Sequence, residues 1–126
     1  MQHNLPEGGQ CMDDKVLKAL GEPNRYKLMC LMAERSYCVG ALARVSGLSE
    51  SSVSQHIKVL READLVYGVR RGFYTHYAVN RETLSKVIES LSKMLTTHRK
   101  PCDGPFYGCP ESEAIRCGAY VPPEKR

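Results

Sequence analysis

The sequence predicts a mainly α-helical domain carrying one β-hairpin, followed by an irregular, cysteine-containing tail. Three observations lead there. Apolar residues recur with a helical period from Met12 to Ala63 and again from Leu84 to Leu95. Between Leu65 and Val79 that period gives way to a short run rich in aromatic and β-branched residues, broken by Arg70-Arg71-Gly72. Beyond position 100 the composition changes, with five of the seven prolines and three of the six cysteines but few aliphatic residues.

The chain has 126 residues, 42% of them hydrophobic and 25% charged. That suits one globular domain with a short appendage and argues against both a disordered polyampholyte and a two-domain enzyme with a large cleft. No apolar run approaches the roughly 18 residues of a membrane span. Met1-Gln2-His3-Asn4-Leu5-Pro6 has neither the basic nor the apolar region of a secretory signal, so a cytoplasmic setting with reduced thiols is expected. The net charge is +4, and the acids and bases of residues 100–126 cancel, so the excess lies in residues 1–99. A modest basic bias on a compact domain is compatible with nucleic acid.

Residues 1–11 read as a loose arm, with Pro6, Gly8 and Gly9. A first helix follows, with Asp13 and Asp14 in its first turn, an apolar helical period of Val16, Leu17 and Leu20, and Gly21 as its stop. Pro23 and Asn24 start a second helix, whose run Leu28, Met29, Leu31, Met32, Ala33 predicts burial nearly all round. A short third helix carries Val39, Leu42, Ala43 and Val45 and ends at Gly47, which suits a left-handed cap. Ser49 caps a fourth, whose Val53, Ile57, Leu60 and Ala63 share one face. The hairpin comes next, with Arg70-Arg71-Gly72 as its turn. Asn80 then caps a last helix striped by Leu84, Val87, Ile88, Leu91, Met94 and Leu95.

Two short helices joined by Ser46-Gly47-Leu48 form a helix-turn-helix, and the hairpin behind them is a wing. The expected organisation is therefore an arm at 1–11, a winged helix-turn-helix domain at 12–99 and a tail at 100–126. With Val53, Ile57 and Leu60 inward, helical geometry turns Ser51, Gln55, Lys58 and Glu62 outward, with Ser52 and Ser54 nearby. Small neutral side chains let a helix lie close in a major groove. Gln55 suits the adenine edge, and serines suit bases or phosphates. Lys58 and Arg61 are expected over phosphates, and Arg70 and Arg71 over the backbone or minor groove. His56, off the core line, reads as a packing or phosphate-contacting residue rather than a catalytic one. A Ser-rich face alone would be ordinary solvated surface; turn, helix, wing and tip arginines in this order point to DNA.

Leu17-Lys18-Ala19-Leu20-Gly21-Glu22-Pro23-Asn24-Arg25, Val39-Gly40-Ala41-Leu42-Ala43 and the stretch from Leu48 through Val66 resemble the arsenic-repressor (ArsR/SmtB) family of winged-helix regulators. The resemblance covers about residues 12–98. It implies a homodimer built on the first and last helices that binds an operator dyad, blocks transcription and is released by an inducer. The Leu84–Leu95 stripe would serve such a dimer, and equally a monomer core.

Sensor sites differ between members of that family. A Cys-Val-Cys-Asp-Leu clip at the start of the third helix is incomplete, because Cys38-Val39-Gly40-Ala41-Leu42 keeps only its first thiol; Cys11 on the arm is the candidate to complete it. Glu82, Glu89 and His98 lack the pattern of a zinc or nickel site on the last helix. The tail offers Cys102, Cys109 and Cys117, which suit a soft ion such as trivalent arsenic or antimony, with cadmium or zinc as alternatives. A short helix over 110–116 would hold Cys109 and Cys117 about 12 Å apart, leaving Cys102 and Cys109 as the closer pair. A thiol-redox or persulfide switch is the rival reading. Cys30 matches a family position in the second helix and Cys102 is its partner only if the chain folds back, although a thiol between Leu and Met is usually buried and inert. No CxxC pair or cofactor loop supports a thiol enzyme.

Overall fold

A computed structural model describes residues 12–100, 102, 108–120 and 124. The element order is α1 (Asp14–Leu20), α2 (Pro23–Glu34), α3 (Val39–Ser46), α4 (Glu50–Glu62), β1 (Val66–Arg71), β2 (Tyr74–Val79), α5 (Arg81–Thr96) and α6 (Glu111–Ala114). The chain divides into two compact units, Met1–Leu95 and Thr96–Arg126. Among the described residues no helix is long and apolar enough to cross a membrane.

Local chemistry sets most boundaries in the first unit. The Asp13 carboxylate accepts the Lys15 N–H and caps α1. The cap of α2 is Glu22, one residue ahead of Pro23: its carboxylate accepts the Arg25 N–H at 2.8 Å, with Pro23 at the first helical turn. Arg25 turns back and donates from Nε to the Ala19 carbonyl and from Nη2 to that of Lys18, satisfying the last turn of α1. Gly47 takes φ 77° at the end of α3, and the Ser49 hydroxyl accepts the Ser52 N–H at the start of α4.

The end of α4 was not legible in advance. Asp64 sits in the left-handed region at φ 59°. Its N–H reaches the Arg61 carbonyl and the Leu65 N–H reaches that of Leu60, the paired bonds of a Schellman motif, with Leu65 buried behind them. That motif aims the chain into β1.

The strands pair antiparallel from Val66↔Val79 to Arg71↔Tyr74. The turn is Gly72-Phe73, not Arg70-Arg71-Gly72. Both arginines belong to the strand, because a two-residue loop with glycine at positive φ (63°) matches strand twist and leaves their ladder bonds intact.

Leu28, Leu42, Val53, Leu60 and Leu65 form the fully buried centre, surrounded by Val16, Ala19, Met29, Met32, Ile57, Val66, Val79 and Val87. Three expectations change here. Leu17 is 57% exposed, and Ala19 takes its place in the core. Helix α2 is buried along one face only: Ala33 and Cys30 are exposed. Val87, expected at a dimer interface, is closed inside the monomer core, and Leu84 packs against that core, because the inner edge of α5 rests on the domain. Ile88, Leu91, Met94 and Leu95 remain exposed on its outer side.

Candidate nucleic-acid interface

Helix α4 buries Val53, Ile57 and Leu60 and turns Ser51, Ser54, Gln55, Lys58, Arg61 and Glu62 outward. Its N-terminal half is therefore small and mostly uncharged at the surface. Ser52 is half-buried. The Ser51 hydroxyl lies 3.3 Å from that of Ser49, and the pair sits beside the helix N-terminus, where free N–H groups favour an anion.

His56 is half-buried, with Nδ1 3.8 Å from Glu22 Oε2, so it packs against the cap that starts α2. The Arg25 N–H holds the Glu22 carboxyl below its ordinary range, helped by the Asn24 N–H and by the charges of His56 and Arg25, and opposed by desolvation. A lowered carboxyl contributes stability that is complete above its ordinary value near 4.5 and is lost as pH falls through the lowered one. Glu22→Gln should therefore be less stable than wild type at neutral pH and lose less on acidification. Thermal unfolding of both across the carboxylate range checks this; parallel curves would dismiss the linkage.

The hairpin extends Arg70 and Arg71, both exposed, towards its tip. The register gives Val66, Gly68, Arg70, Thr75, Tyr77 and Val79 one face, and Tyr67, Val69, Arg71, Tyr74, His76 and Ala78 the other. Because Val66 and Val79 are buried, the first face looks towards the helices. The two arginines thus leave opposite faces of the ribbon. Arg70 Nε is tied to the Gly72 carbonyl at 3.2 Å. Phe73, at the turn itself and 93% exposed, was not singled out from sequence, although a hydrophobic residue beside a turn glycine was the available sign.

The wing root also carries residues the sequence reading passed over. The guanidinium of Arg61 lies over the Tyr77 ring, 6.0 Å from its centroid. Tyr77, Ser54, Lys58 and Arg61 line a cavity of about 580 Å³ between α4 and the hairpin. The interior glycine of β1, Gly68, was the overlooked signal, since such a glycine marks close approach.

A family model described as "Bacterial regulatory protein, arsR family" matches residues 22–67. A Halobacterium salinarum protein assigned as the arsenical resistance operon repressor ArsR2 is 31% identical over 97 residues, covering 75% of this chain and 81% of that one. The chain belongs to the arsR family of bacterial regulatory proteins.

Two solved structures carry the likeness into three dimensions. Reduced HlyU from Vibrio cholerae is 27% identical with a TM-score of 0.52, covering 67% of this chain and 87% of that one. The homodimeric winged helix-turn-helix domain of a possible ArsR-family regulator from Mycobacterium bovis matches with a TM-score of 0.55 at 22% identity, over 68% of this chain and 82% of that one, and it shows the shared fold. The arsR-family protein is thus a winged helix-turn-helix transcriptional regulator, a DNA-binding protein and not an enzyme.

The cysteines of this arsR-family chain are distributed as follows. Cys38 is half-buried at the start of α3 and lines a cleft with Arg44, Glu50 and His76. Cys11 lies outside the described residues. Cys30, expected to be buried, is exposed at a cavity of about 420 Å³ walled by Tyr26, Leu31, Val45 and Leu48, because α2 turns that side away from the core. In the second unit α6 spans only four residues, with Pro110 as its cap rather than its first turn. Cys102 pairs with Tyr120 in a parallel bridge, and the Tyr120 N–H returns to the Cys117 carbonyl. The backbone therefore draws Cys102 towards the turn bearing Cys117, while Cys109 stands before the opposite end of α6. Among the described residues no three Cys, His, Asp or Glu side chains gather into a metal cage.

Proposed function

We propose that this protein is a homodimeric repressor that holds an operator dyad and lets go when its cysteines capture a thiophilic ligand. The observation that carries the DNA part is the slim neutral face of α4, with Ser51, Ser54 and Gln55 exposed, ahead of the wing arginines. Gln55 reads a base edge; Ser51, Ser52 and Ser54 approach bases or phosphates; Lys58, Arg70 and Arg71 meet the backbone or minor groove. His56 braces the helix from behind. A dimer is supported by the uncovered apolar side of α5, and a structural neighbour is itself described as homodimeric.

For the inducer, the tail supplies donor chemistry, with no cage preformed among its described residues. Three thiolates suit arsenite or antimonite, with cadmium or zinc as alternatives. Capture by Cys102, Cys109 and Cys117 together requires the tail to rearrange, and Cys11 with Cys38 is the alternative set. A second reading is favoured by the exposure of Cys30: oxidation or persulfidation there, with Cys102 as partner thiol, would switch the same repressor. One neighbour was solved specifically in its reduced form.

The test uses a fluorescein-labelled duplex recovered by the wild-type protein from a random-sequence pool. Anisotropy is followed against arsenite, antimonite, cadmium, zinc and a persulfide donor, for wild type and single Cys→Ser variants. Release should amount to an affinity loss of about 5- to 150-fold. Cys102→Ser, Cys109→Ser and Cys117→Ser should each blunt the metalloid response. Normal responses in all three, with loss in Cys38→Ser, would move the site to α3. Loss confined to Cys30→Ser and the persulfide donor would establish the redox reading.

A further inference from the structure

A two-stranded ribbon has little stability of its own, so the direction in which this wing points must be set at its root. Tyr77 is where the root is attached. Its backbone N–H donates to the Tyr37 carbonyl at 2.7 Å, and its carbonyl accepts the Tyr37 N–H at 3.1 Å. That isolated bridge joins the wing to the connection between α2 and α3. Its ring lies across Gly68 on the partner strand: a Cβ on Gly68 would stand 3.0 Å from Tyr77 Cε1 and 2.8 Å from Thr75 Cγ2. Only a residue without a side chain leaves room for that ring. On its other approach the ring meets the Arg61 guanidinium, which comes from the last turn of α4.

We infer that Tyr77 is a positioning residue that sets the angle of the wing against α4, and that Arg61 acts on DNA binding through the Tyr77 ring and not as one more phosphate contact. The lever arm shows why this matters. Three strand residues, Tyr74, Thr75 and His76, separate Tyr77 from the turn, so the tip lies four steps away, about 14 Å at the usual rise. Arg70 and Arg71 lie opposite Thr75 and Tyr74, two and three residues along, so a swing of roughly 15° at the root would carry their backbone about 2–3 Å, enough to stretch a phosphate hydrogen bond past its working length. Gly68, Tyr77 and Arg61 together hold that angle, and Tyr37 fixes the pivot.

The inference rests on the reading that α4 and the wing tip engage one duplex, and the experiment separates the two. Full-length Arg61→Met, Tyr77→Leu, the double variant and Tyr77→Phe are titrated against the selected duplex and a scrambled one over a salt series. Arg61→Met and Tyr77→Leu should each weaken the selected duplex about five- to tenfold, the double variant no further than the worse single one, and Tyr77→Phe should keep wild-type affinity because the ring remains. The salt slope of Arg61→Met should stay that of wild type, whereas losing a phosphate contact lowers it by about 1 per subunit, about 2 for a dimer on its dyad. Proton NMR supplies a readout independent of DNA: the Gly68 Hα resonances should be ring-shifted in wild type and Tyr77→Phe and relax in Tyr77→Leu, with the Leu60 and Val53 methyls unmoved. Should Tyr77→Leu not fold, Gly68→Ala, made together with Thr75→Ser to remove the methyl that its Cβ would meet first, crowds the ring while leaving Tyr77 and Arg61 in the chain, and the same several-fold loss at unchanged salt slope is expected. Additive losses with a lowered slope for Arg61→Met would make Arg61 a phosphate contact and overturn the inference while leaving DNA binding intact. A wild-type protein that recovers no duplex from the pool would sink the parent reading and this one with it.

Discussion

Gln55→Ala is expected to weaken binding of the selected duplex by about 1–3 kcal/mol per subunit. In the proposed symmetric dimer the loss occurs in both half-sites, giving roughly 30-fold to 2 × 10⁴-fold in Kd. Gln55 is exposed and none of the core depends on it, so thermal stability should change by no more than about 0.5 kcal/mol. Binding to the scrambled duplex and the salt slope should hold, since an uncharged base contact releases no counterion. Lys58→Ala is the contrasting control: it should weaken both duplexes alike and lower the slope. Equal affinities for Gln55→Ala and wild type would remove α4 from its assigned place in the groove.

Leu91→Asp should break the dimer proposed above. On α5, Ile88, Leu91, Met94 and Leu95 are uncovered, Leu95 at 87% and Met94 at 71%, and none is needed by the monomer core. Burying one leucine side chain is worth about 1.5–3 kcal/mol. A two-fold interface counts each substitution twice, so dimerisation should weaken by at least about 3 kcal/mol, before the cost of an unpaired carboxylate is added. Sedimentation should then give a monomer at concentrations where wild type is a dimer. Operator affinity should fall with it, because one subunit reaches one half-site. Val87→Ala offers the complementary outcome: loss of folding stability with the subunit interface intact. A Leu91→Asp protein that still sediments with wild type would place the interface elsewhere.

The difference between Val87 and Leu91 also shows how far the primary structure could be read. Both belong to one apolar stripe, and periodicity reports that they share a side of α5, not what covers it. The same limit explains Leu17 and Cys30. Each sits in an apolar run, but which arc of a short helix meets the core depends on neighbours brought in from elsewhere. Capping was more legible. Ser49, Gly47 and Asn80 act within three residues of themselves: Asn80 Oδ1, for instance, accepts the Glu82 and Thr83 N–H groups that begin α5. Short-range chemistry of that kind is written in consecutive residues. The hairpin turn was misplaced by one or two residues because Arg70-Arg71-Gly72 and Gly72-Phe73 both contain the required glycine. Ladder bonds between Arg71 and Tyr74 decide between them.

By itself, then, the order of residues determined the helix-turn-helix, its buried line of Val53, Ile57 and Leu60, the outward Ser and Gln side chains, and membership of a regulator family. Each depends on spacing within one helix or one tight turn. Only the tertiary structure decided that the Tyr77 ring lies against both Gly68 and Arg61, that Cys30 faces out, that Cys102 bridges to Tyr120 beside Cys117, and that α5 divides its stripe between core and surface. Those features join atoms far apart in the chain, where local propensity carries no information and packing alone selects the neighbours.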